Sequence, residues 1–261
     1  MSEALKPVRI ERLPGHVAWV TIDRPEARNA INAAVAIGLE AAIDETEADP
    51  DVWVVVLGSA SGDVFCAGAD LKEVSAGRGK ALMTQRGGFA GFVYRDRAKP
   101  WIAAVNGKAF AGGMEIMLAC DLVVADAQAA FALPEVMRSL VAAAGGLYRL
   151  PRAIPPNIAT ELILTGGQLD AKRAHELGLV NRLAAPGCLR ESALALAAEI
   201  VKNAPLAVRE SLRVVRRAND LDEETLRAMT REALTSVVAS EDFKEGPRAF
   251  VEKRPPLWTG R

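Results

Sequence analysis

The sequence predicts an α/β fold with a helical C-terminal region, and three observations lead to this prediction. Short runs of β-branched and apolar residues alternate with segments of helical spacing up to about residue 145. The run Trp53–Gly58 is apolar throughout, which is typical of a strand buried on both faces of a parallel sheet. Beyond about residue 145, most segments repeat their apolar side chains at the spacing of an amphipathic helix.

Four apolar runs in the first half of the chain predict strands. The first is rich in β-branched and aromatic residues and stops at the turn sequence Asp23-Arg24-Pro25. The second is a continuous apolar run, and two further runs of strand length follow it. The predicted strands are Val17–Ile22, Trp53–Gly58, Trp101–Val105 and Leu122–Ala125.

Helical spacing predicts helices between these strands and throughout the C-terminal region. Between the strands we expect Ala30–Thr46, Gly79–Ala98 and Met114–Ala119. Several C-terminal segments carry Leu and Val on one face and Arg and Glu on the other, which favours packing against the body of the protein or another subunit. These segments are Ile158–Thr165, Ala171–Leu177, Leu189–Lys202, Leu206–Arg217, Glu223–Ser236 and Phe243–Val251.

Composition and charge exclude several classes of protein. Of the 261 residues, 50% are hydrophobic and 25% are charged, which is a globular rather than a disordered composition. Lys and Arg total 32 against 33 Asp and Glu, so the chain lacks the basic excess of a nucleic-acid binder. The N-terminus lacks the apolar core of a signal peptide, and no apolar run is long enough to span a membrane. We therefore expect a cytoplasmic protein without a membrane partner.

Cysteine and histidine usage argues against disulfides and metal catalysis. Cys66, Cys120 and Cys188 are widely spaced and form no Cys-x-x-Cys motif, which predicts reduced thiols. The two histidines, His16 and His175, do not stand at ligand spacing from a cysteine. We therefore expect no bound metal ion.

Three loops rich in small residues form the candidate ligand-binding region, because ligands of open α/β sheets bind beyond the carboxyl ends of the strands. Neither GxxxxGK[ST] nor GxGxxG occurs, which argues against nucleotide binding. Glycines in such loops turn the chain, and they also let a ligand oxygen approach a peptide N–H group. The loops are Phe65–Lys72, Asn106–Gly113 and the segment from Pro134 to Gly146.

Two glutamates stand in apolar surroundings. Glu115 lies within the apolar sequence Met114–Cys120, and Glu135 follows Phe131–Pro134. Such surroundings raise the pKa of a carboxyl group toward neutrality, where it transfers protons efficiently. Each glutamate also fits a partly exposed helix residue, so the pattern alone leaves both interpretations open. Asp121 is expected to be structural, capping a backbone turn.

Nine motifs, in order and in register over essentially the whole chain, resemble those of the crotonase (enoyl-CoA hydratase/isomerase) superfamily. Each motif is weak alone, but their common register is highly specific. They are Asp23–Ala30, Phe65–Lys72, Ile102–Gly107, Ala111–Glu115, Cys120–Asp121, Phe131–Glu135, Leu164–Gly166, Ala174–Val180 and Glu245–Arg254. Within the superfamily, Leu150–Pro156 and Pro255–Arg261 are similar to carnitinyl-CoA dehydratase and its bacterial relatives.

The resemblance implies a crotonase-like spiral of repeated ββα units that binds acyl-CoA, and we expect it to comprise residues 1–200. Residues 201–261 are expected to form a C-terminal helical trimerisation region. Members of the superfamily form trimers, often paired as hexamers, so a homotrimer or homohexamer is implied. Coenzyme A enters as part of the substrate, and no separate cofactor is implied.

The resemblance also implies where the substrate binds. The thioester carbonyl is bound between two peptide N–H groups, which fall on Ala69 and Gly112 and stabilise enolate charge. Three further residues line the CoA side of the same loop, and one lysine matches a position that approaches the CoA phosphates, within the chain or across a subunit boundary. These residues are Asp70, Leu71, Lys72 and Lys253.

In hydratases of this superfamily two glutamates flank the reacting water, and they match Glu115 and Glu135, 20 residues apart. Hydration of a trans-2-enoyl-CoA needs a base for water at Cβ and an acid for the proton at Cα. We assign the first role to Glu115 and the second to Glu135, and the pair can exchange or share them. The implied enzyme is a hydro-lyase of the enoyl-CoA hydratase type, or a 3-hydroxyacyl-CoA dehydratase in reverse.

One loop departs from the hydratase pattern. The segment Ser139–Tyr148 is bulkier and more apolar, and Ala143 replaces a glycine whose backbone helps to hold the water. The added methyl group is costly if this position needs a positive φ. Three alternatives stay open: an enoyl-CoA isomerase that uses one glutamate, a carnitinyl-CoA dehydratase-like enzyme, and a family member that binds acyl-CoA without turnover.

Overall fold

The computed structural model describes residues 6–60 and 62–261 and confirms the α/β class. The first five residues of the N-terminal segment, which were considered for a signal peptide, lie outside the described residues, as does Ser61. The strands are β1 Val8–Leu13, β2 Val17–Ile22, β3 Val54–Ser59, β4 Val64–Cys66, β5 Met83–Thr84, β6 Gly88–Phe89, β7 Trp101–Val105, β8 Lys108–Phe110, β9 Leu122–Asp126, β10 Ala130–Ala132, β11 Gln168–Asp170 and β12 Arg182–Ala184. The helices are α1 Ala33–Ala48, α2 Leu71–Ser75, α3 Gly112–Leu118, α4 Gly146–Ala153, α5 Pro156–Thr165, α6 Ala171–Glu176, α7 Leu189–Val201, α8 Pro205–Val215, α9 Glu223–Val238 and α10 Glu241–Val251.

The strands form two main sheets. The larger sheet has the order β1-β2-β3-β7-β9-β12, and all of its neighbours are parallel except β1 and β2. The smaller sheet has the order β11-β10-β8-β4, in which β8 pairs in parallel with both β4 and β10. Strands β5 and β6 form a separate antiparallel pair.

The chain alternates between the two sheets, which makes it a spiral of ββα units. Strand β3 of the larger sheet leads to β4 of the smaller sheet and then to α2, and β7 leads in the same way to β8 and α3. Strand β9 leads to β10 and then to a 3-10 helix, Glu135–Arg138. The three candidate loops lie at these strand-to-helix connections, and all three contribute residues to one cavity.

The uninterrupted apolar run at β3 is buried on both faces, as predicted. Val55 and Leu57 belong to the main core, whereas Val54 and Val56 belong to a smaller core that includes Leu196 of α7. Each fully buried aliphatic side chain contributes about 1.5–3 kcal/mol relative to exposure. The strand therefore fixes the larger sheet between α1 on one side and α7 on the other.

Most predicted elements are confirmed with small shifts at their ends. The strands Val17–Ile22 and Trp101–Val105 coincide with the predicted ones, and the six predicted C-terminal helices end within two residues of their predicted bounds. Helix α1 begins three residues later than predicted because Asn32 caps it, with its side-chain oxygen 3.0 Å from the Val35 nitrogen.

The prediction of a helix over Gly79–Ala98 is wrong. A 3-10 helix covers Gly79–Leu82, and the β5–β6 pair and turns follow. The backbone has positive φ at Gly88 (62°), Ala90 (59°) and Gly91 (64°), which no α-helix accommodates. A Cβ at Gly87 would lie 2.1 Å from the Gly91 carbonyl oxygen, so this turn requires glycine.

Asp121 has the structural role expected of it. Its carboxylate accepts the Trp101 N–H at 2.8 Å and forms two hydrogen bonds of 2.7 Å with the Arg216 guanidinium. These contacts tie helix α8 to the start of β7. The three cysteines are free thiols, also as predicted. Within residues 6–60 and 62–261, no helix is both long and apolar enough to cross a bilayer.

Candidate active site

One apolar cavity of about 520 Å³ lies where the three candidate loops meet. Aliphatic and aromatic side chains form most of its wall, and the charged residues in its lining are two glutamates and two arginines. Five of its lining residues were candidates from the sequence: Ala69, Leu71, Gly112, Glu115 and Glu135. An apolar cavity with a few converging polar groups is the usual form of a small-molecule site.

Two peptide N–H groups of the cavity wall are free to bind a ligand oxygen. Neither Ala69 nor Gly112 donates its N–H to an acceptor within the described part of the chain. Gly112 is the first residue of α3, where an amide has no intrahelical partner. A Cβ at Gly112 would lie 3.4 Å from the Cα of Gly68, so the two loops touch beside these amides.

The Gly112 amide is aimed by an unusual backbone conformation at Ala111. This residue has φ 51° and ψ −128°, a region that costs of order 1–3 kcal/mol for a side chain other than glycine. The Ala111 N–H donates to the Ala132 carbonyl at 2.9 Å, which fixes the turn against strand β10. Strain of this kind at a helix start is typical of a functional site.

Glu115 projects from α3 into the cavity wall and is only 4% exposed. Its Oε1 accepts the Gly146 N–H at 2.9 Å, so the third loop holds this carboxylate in place. Burial raises the pKa of Glu115 above its ordinary value, and the N–H groups of Gly146 and Ala144 oppose that shift. Because these donors favour the ionised form, Glu115 suits the role of a base.

Glu135 is the first residue of the 3-10 helix and also lines the cavity. Its Oε2 is buried and has no hydrogen-bond partner among the residues that the structure describes. Burial, with the negative charge of Glu115 as a further cause, raises the pKa of Glu135 to about 7. The N–H of Glu135 itself opposes this shift, but burial outweighs it. A carboxyl group that titrates near neutrality suits the role of an acid.

The family of this chain follows from comparison with known proteins. The family model for enoyl-CoA hydratase/isomerase matches residues 12–261. The chain belongs to the enoyl-CoA hydratase/isomerase family. This membership confirms the resemblance read from the nine motifs. Among curated relatives of this family, carnitinyl-CoA dehydratase of Salmonella typhi is 39% identical over 266 positions, covering 100% of both chains.

Solved structures confirm the crotonase-type fold of this family member. The enoyl-CoA hydratase of Mycobacterium tuberculosis H37Rv superposes with a TM-score of 0.93 at 46% identity, covering 98% of this chain and 100% of that one. The carnitinyl-CoA hydratase of Mycobacterium avium gives a TM-score of 0.76 at 45% identity, covering 98% and 99%. Relatives named enoyl-CoA hydratase and relatives named carnitinyl-CoA hydratase therefore share this fold.

Three of the family-derived binding residues lie outside the cavity lining. Asp70 is buried against Arg24, 2.7 Å away, and its carboxylate caps α2 through the Lys72 N–H. Lys72 is exposed at the start of α2, and Lys253 is exposed after α10. Of the four proposed CoA-binding residues, Leu71 lines the cavity.

The departure in the third loop leaves the position of Glu115 intact in this hydratase/isomerase. Ala143 does not have a positive φ, so its methyl group causes no backbone strain. The positive values in this loop fall on Ser139 (56°) and Gly145 (117°). The Ala143 carbonyl accepts the Tyr94 hydroxyl at 2.8 Å, which ties the loop to the segment after β6.

Several lining residues escaped the sequence analysis. Phe89 and Tyr94 lay within the wrongly predicted helix, although aromatic residues among closely spaced glycines are a signal for a loop. Arg138 lies three residues after the end of the Phe131–Glu135 motif and was therefore not singled out. Arg28 lay inside a recognised motif, yet its side chain was given no role.

Proposed function

We propose that this chain catalyses the reversible addition of water to a trans-2-enoyl-CoA, and equally the dehydration of a 3-hydroxyacyl-CoA. One observation carries the proposal: two carboxyl groups in different environments face one apolar cavity beside two unpaired amides. Hydration needs a base, an acid and an oxyanion site together. Relatives named hydratase or dehydratase support the same reaction.

In this mechanism the thioester oxygen accepts hydrogen bonds from the Ala69 and Gly112 N–H groups. As water adds to Cβ, negative charge moves to this oxygen, and the two donors stabilise the enolate. Preorganised donors of this type contribute about 3–4 kcal/mol each to the transition state. The apolar wall excludes bulk water and strengthens these bonds.

The two carboxyl groups divide the proton transfers. Ionised Glu115 removes a proton from water while the oxygen attacks Cβ, and protonated Glu135 delivers a proton to Cα. The hydrogen bond from Gly146 supports the first assignment, and the unpartnered Oε2 of Glu135 supports the second. After one turnover each carboxyl has the protonation state of the other, and exchange with solvent restores the pair.

The direct test follows the loss of enoyl-thioester absorbance with crotonyl-CoA in water enriched in ¹⁸O. We expect saturable loss of absorbance and one ¹⁸O atom in the 3-hydroxyl group of the product. An isomerase would move the double bond of a 3-enoyl-CoA without incorporating ¹⁸O. Saturable binding with neither reaction would identify a family member that binds acyl-CoA without turnover.

We further propose that residues 201–261 mediate assembly into a homotrimer, and that trimers pair as hexamers. Exposed apolar side chains in this region support self-association, namely Leu234, Val238, Phe250, Val251 and Leu257. Light scattering of the purified chain is expected to give three or six times the monomer mass. A monomer mass at micromolar concentration would contradict this proposal.

A further inference from the structure

Neither arginine of the cavity lining takes part in the proton transfers proposed above. Of the four charged lining residues, Glu115 and Glu135 carry the proton transfers, and Arg28 stands next to the loop of the Ala69 amide, where its carbonyl accepts the Ala67 N–H at 3.1 Å. The fourth is Arg138. Its guanidinium forms no ion pair and no side-chain hydrogen bond with any described residue.

Arg138 lines the cavity and follows Glu135 by three residues. It is the last residue of the 3-10 helix that begins at Glu135. Ser139 then turns the chain with φ 56°, and the Leu140 N–H donates to the Glu135 carbonyl at 3.1 Å. The two residues after this turn, Leu140 and Val141, also line the cavity. Arg138 and these two residues therefore line the cavity from the segment that directly follows the Cα-directed carboxyl in the chain.

The surroundings of Arg138 are apolar but open. Met83, Leu140 and Val141 share the cavity lining and are 54%, 50% and 63% exposed. Arg138 is itself exposed, so water screens part of its charge, and we expect a moderate rather than a large effect on a bound charge. The positive charge of Arg138 also lowers the pKa of Glu135. This effect is smaller than that of burial, which raises the same pKa.

We propose that Arg138 determines specificity by favouring acyl groups that carry a carboxylate beyond Cβ and disfavouring acyl groups that carry a cation. The inference rests on the proposed function, because it places the acyl group between Glu135 and the loop after it. A guanidinium without a partner pairs readily with a carboxylate in bidentate geometry. A quaternary ammonium group instead requires aromatic faces free of a neighbouring positive charge.

By this inference the chain prefers a different substrate from the one in the name of its curated relatives, the carnitinyl-CoA dehydratases. The carnitinyl group carries a trimethylammonium cation, and in the proposed placement of the acyl group Arg138 lies beside that cation. Phe89, Tyr94 and Phe110 offer aromatic surface in the cavity, but the acidic residues of its lining are the two glutamates of the proposed reaction. We therefore expect carnitinyl-type thioesters to be poor substrates for this chain.

The test compares three trans-2-enoyl-CoA thioesters of similar size and different charge. They are 4-carboxybut-2-enoyl-CoA, pent-2-enoyl-CoA and 4-trimethylammoniobut-2-enoyl-CoA. For the wild type we expect kcat/KM to fall in that order, with a difference of roughly tenfold between the anionic and the neutral substrate. The preference is expected to weaken as ionic strength rises.

Variants at position 138 separate charge from shape. Arg138→Gln is expected to lower kcat/KM for the anionic substrate roughly tenfold and to raise it for the cationic one. Arg138→Lys is expected to keep the wild-type order, whereas Arg138→Glu is expected to reverse it. Loss of the arginine also removes its effect on the pKa of Glu135, but that change is the same for all three substrates. Equal changes for all three substrates would overturn the inference.

Binding of unreactive analogues keeps this test separate from that of the proposed function. Calorimetry compares the affinities of the neutral pentanoyl-CoA and the anionic 4-carboxybutanoyl-CoA, and so measures the charge preference without turnover. If pent-2-enoyl-CoA is hydrated but neither kcat/KM nor binding depends on charge at position 138, the specificity inference fails alone. If the anionic analogue binds more tightly through Arg138 but no thioester is hydrated, the proposed function fails alone.

Discussion

Replacing Glu135 by glutamine is expected to lower kcat for hydration by about 10²- to 10⁴-fold while the chain stays folded. The amide has nearly the same shape, but it has no proton to deliver to Cα. The buried Oε2 has no hydrogen bond to lose, and a neutral group is cheaper to bury than a carboxylate. Stopped-flow measurement of the loss of enoyl absorbance at saturating substrate checks this expectation.

Glu115→Gln is expected to lower kcat to a similar extent because the amide is too weak a base to activate water. Its side-chain oxygen still accepts the Gly146 N–H, so the third loop keeps its position. Glu161→Gln is the matched control, since this glutamate is exposed on α5 and does not line the cavity. Wild-type kcat in either cavity variant would contradict the two-carboxylate mechanism.

The pH dependence of kcat/KM distinguishes the two roles. Burial raises the pKa of Glu135 to about 7, so this group holds its proton below that pH and loses it above. Hydration by the wild type is therefore expected to decline as pH rises through about 7. The residual activity of Glu135→Gln is expected to lack this decline, whereas that of Glu115→Gln keeps it. The opposite pattern would exchange the two assignments.

The periodic parts of the fold were predictable from the sequence, and the irregular parts were not. The apolar run at β3 and the amphipathic C-terminal helices each repeat a pattern over enough residues to be recognised. Strands β4, β8 and β10 have three residues each and were not predicted, because so few residues show no alternation. Their pairing is a long-range property that local pattern does not encode.

The same distinction holds for the site. Glu115, Glu135, Ala69 and Gly112 were found because they stand within motifs of a recognised family, and all four line the cavity. Arg138 lies beyond those motifs, and a single arginine in a sequence is most often a solvated surface charge. Only the turn at Ser139 brings Arg138 and the residues after it to the same cavity, and a positive φ at serine has no sequence signature.

Gly113→Ala is expected to lower kcat by about 10²- to 10³-fold, although Gly113 does not line the cavity. A Cβ at this position would lie 2.0 Å from the carbonyl oxygen of Cys66. Strand β4 is held by its pairing with β8, so the start of α3 has to move instead. That movement separates the Gly112 N–H from the Ala69 N–H and disables the oxyanion site.

The same substitution is expected to cost about 1–3 kcal/mol of stability, as overpacking in a buried site does. Kinetics are therefore measured well below the melting temperature of the variant, after circular dichroism confirms that it is folded. Gly79→Ala is the control, because a Cβ there meets Val74 at an ordinary 3.8 Å and the backbone φ is not positive. If folded Gly113→Ala retains wild-type kcat, the backbone amides do not form the oxyanion site. If kcat falls while acyl-CoA still binds, catalysis depends on the distance between the loop of Ala69 and the loop of Gly112, which pack closely at Gly113.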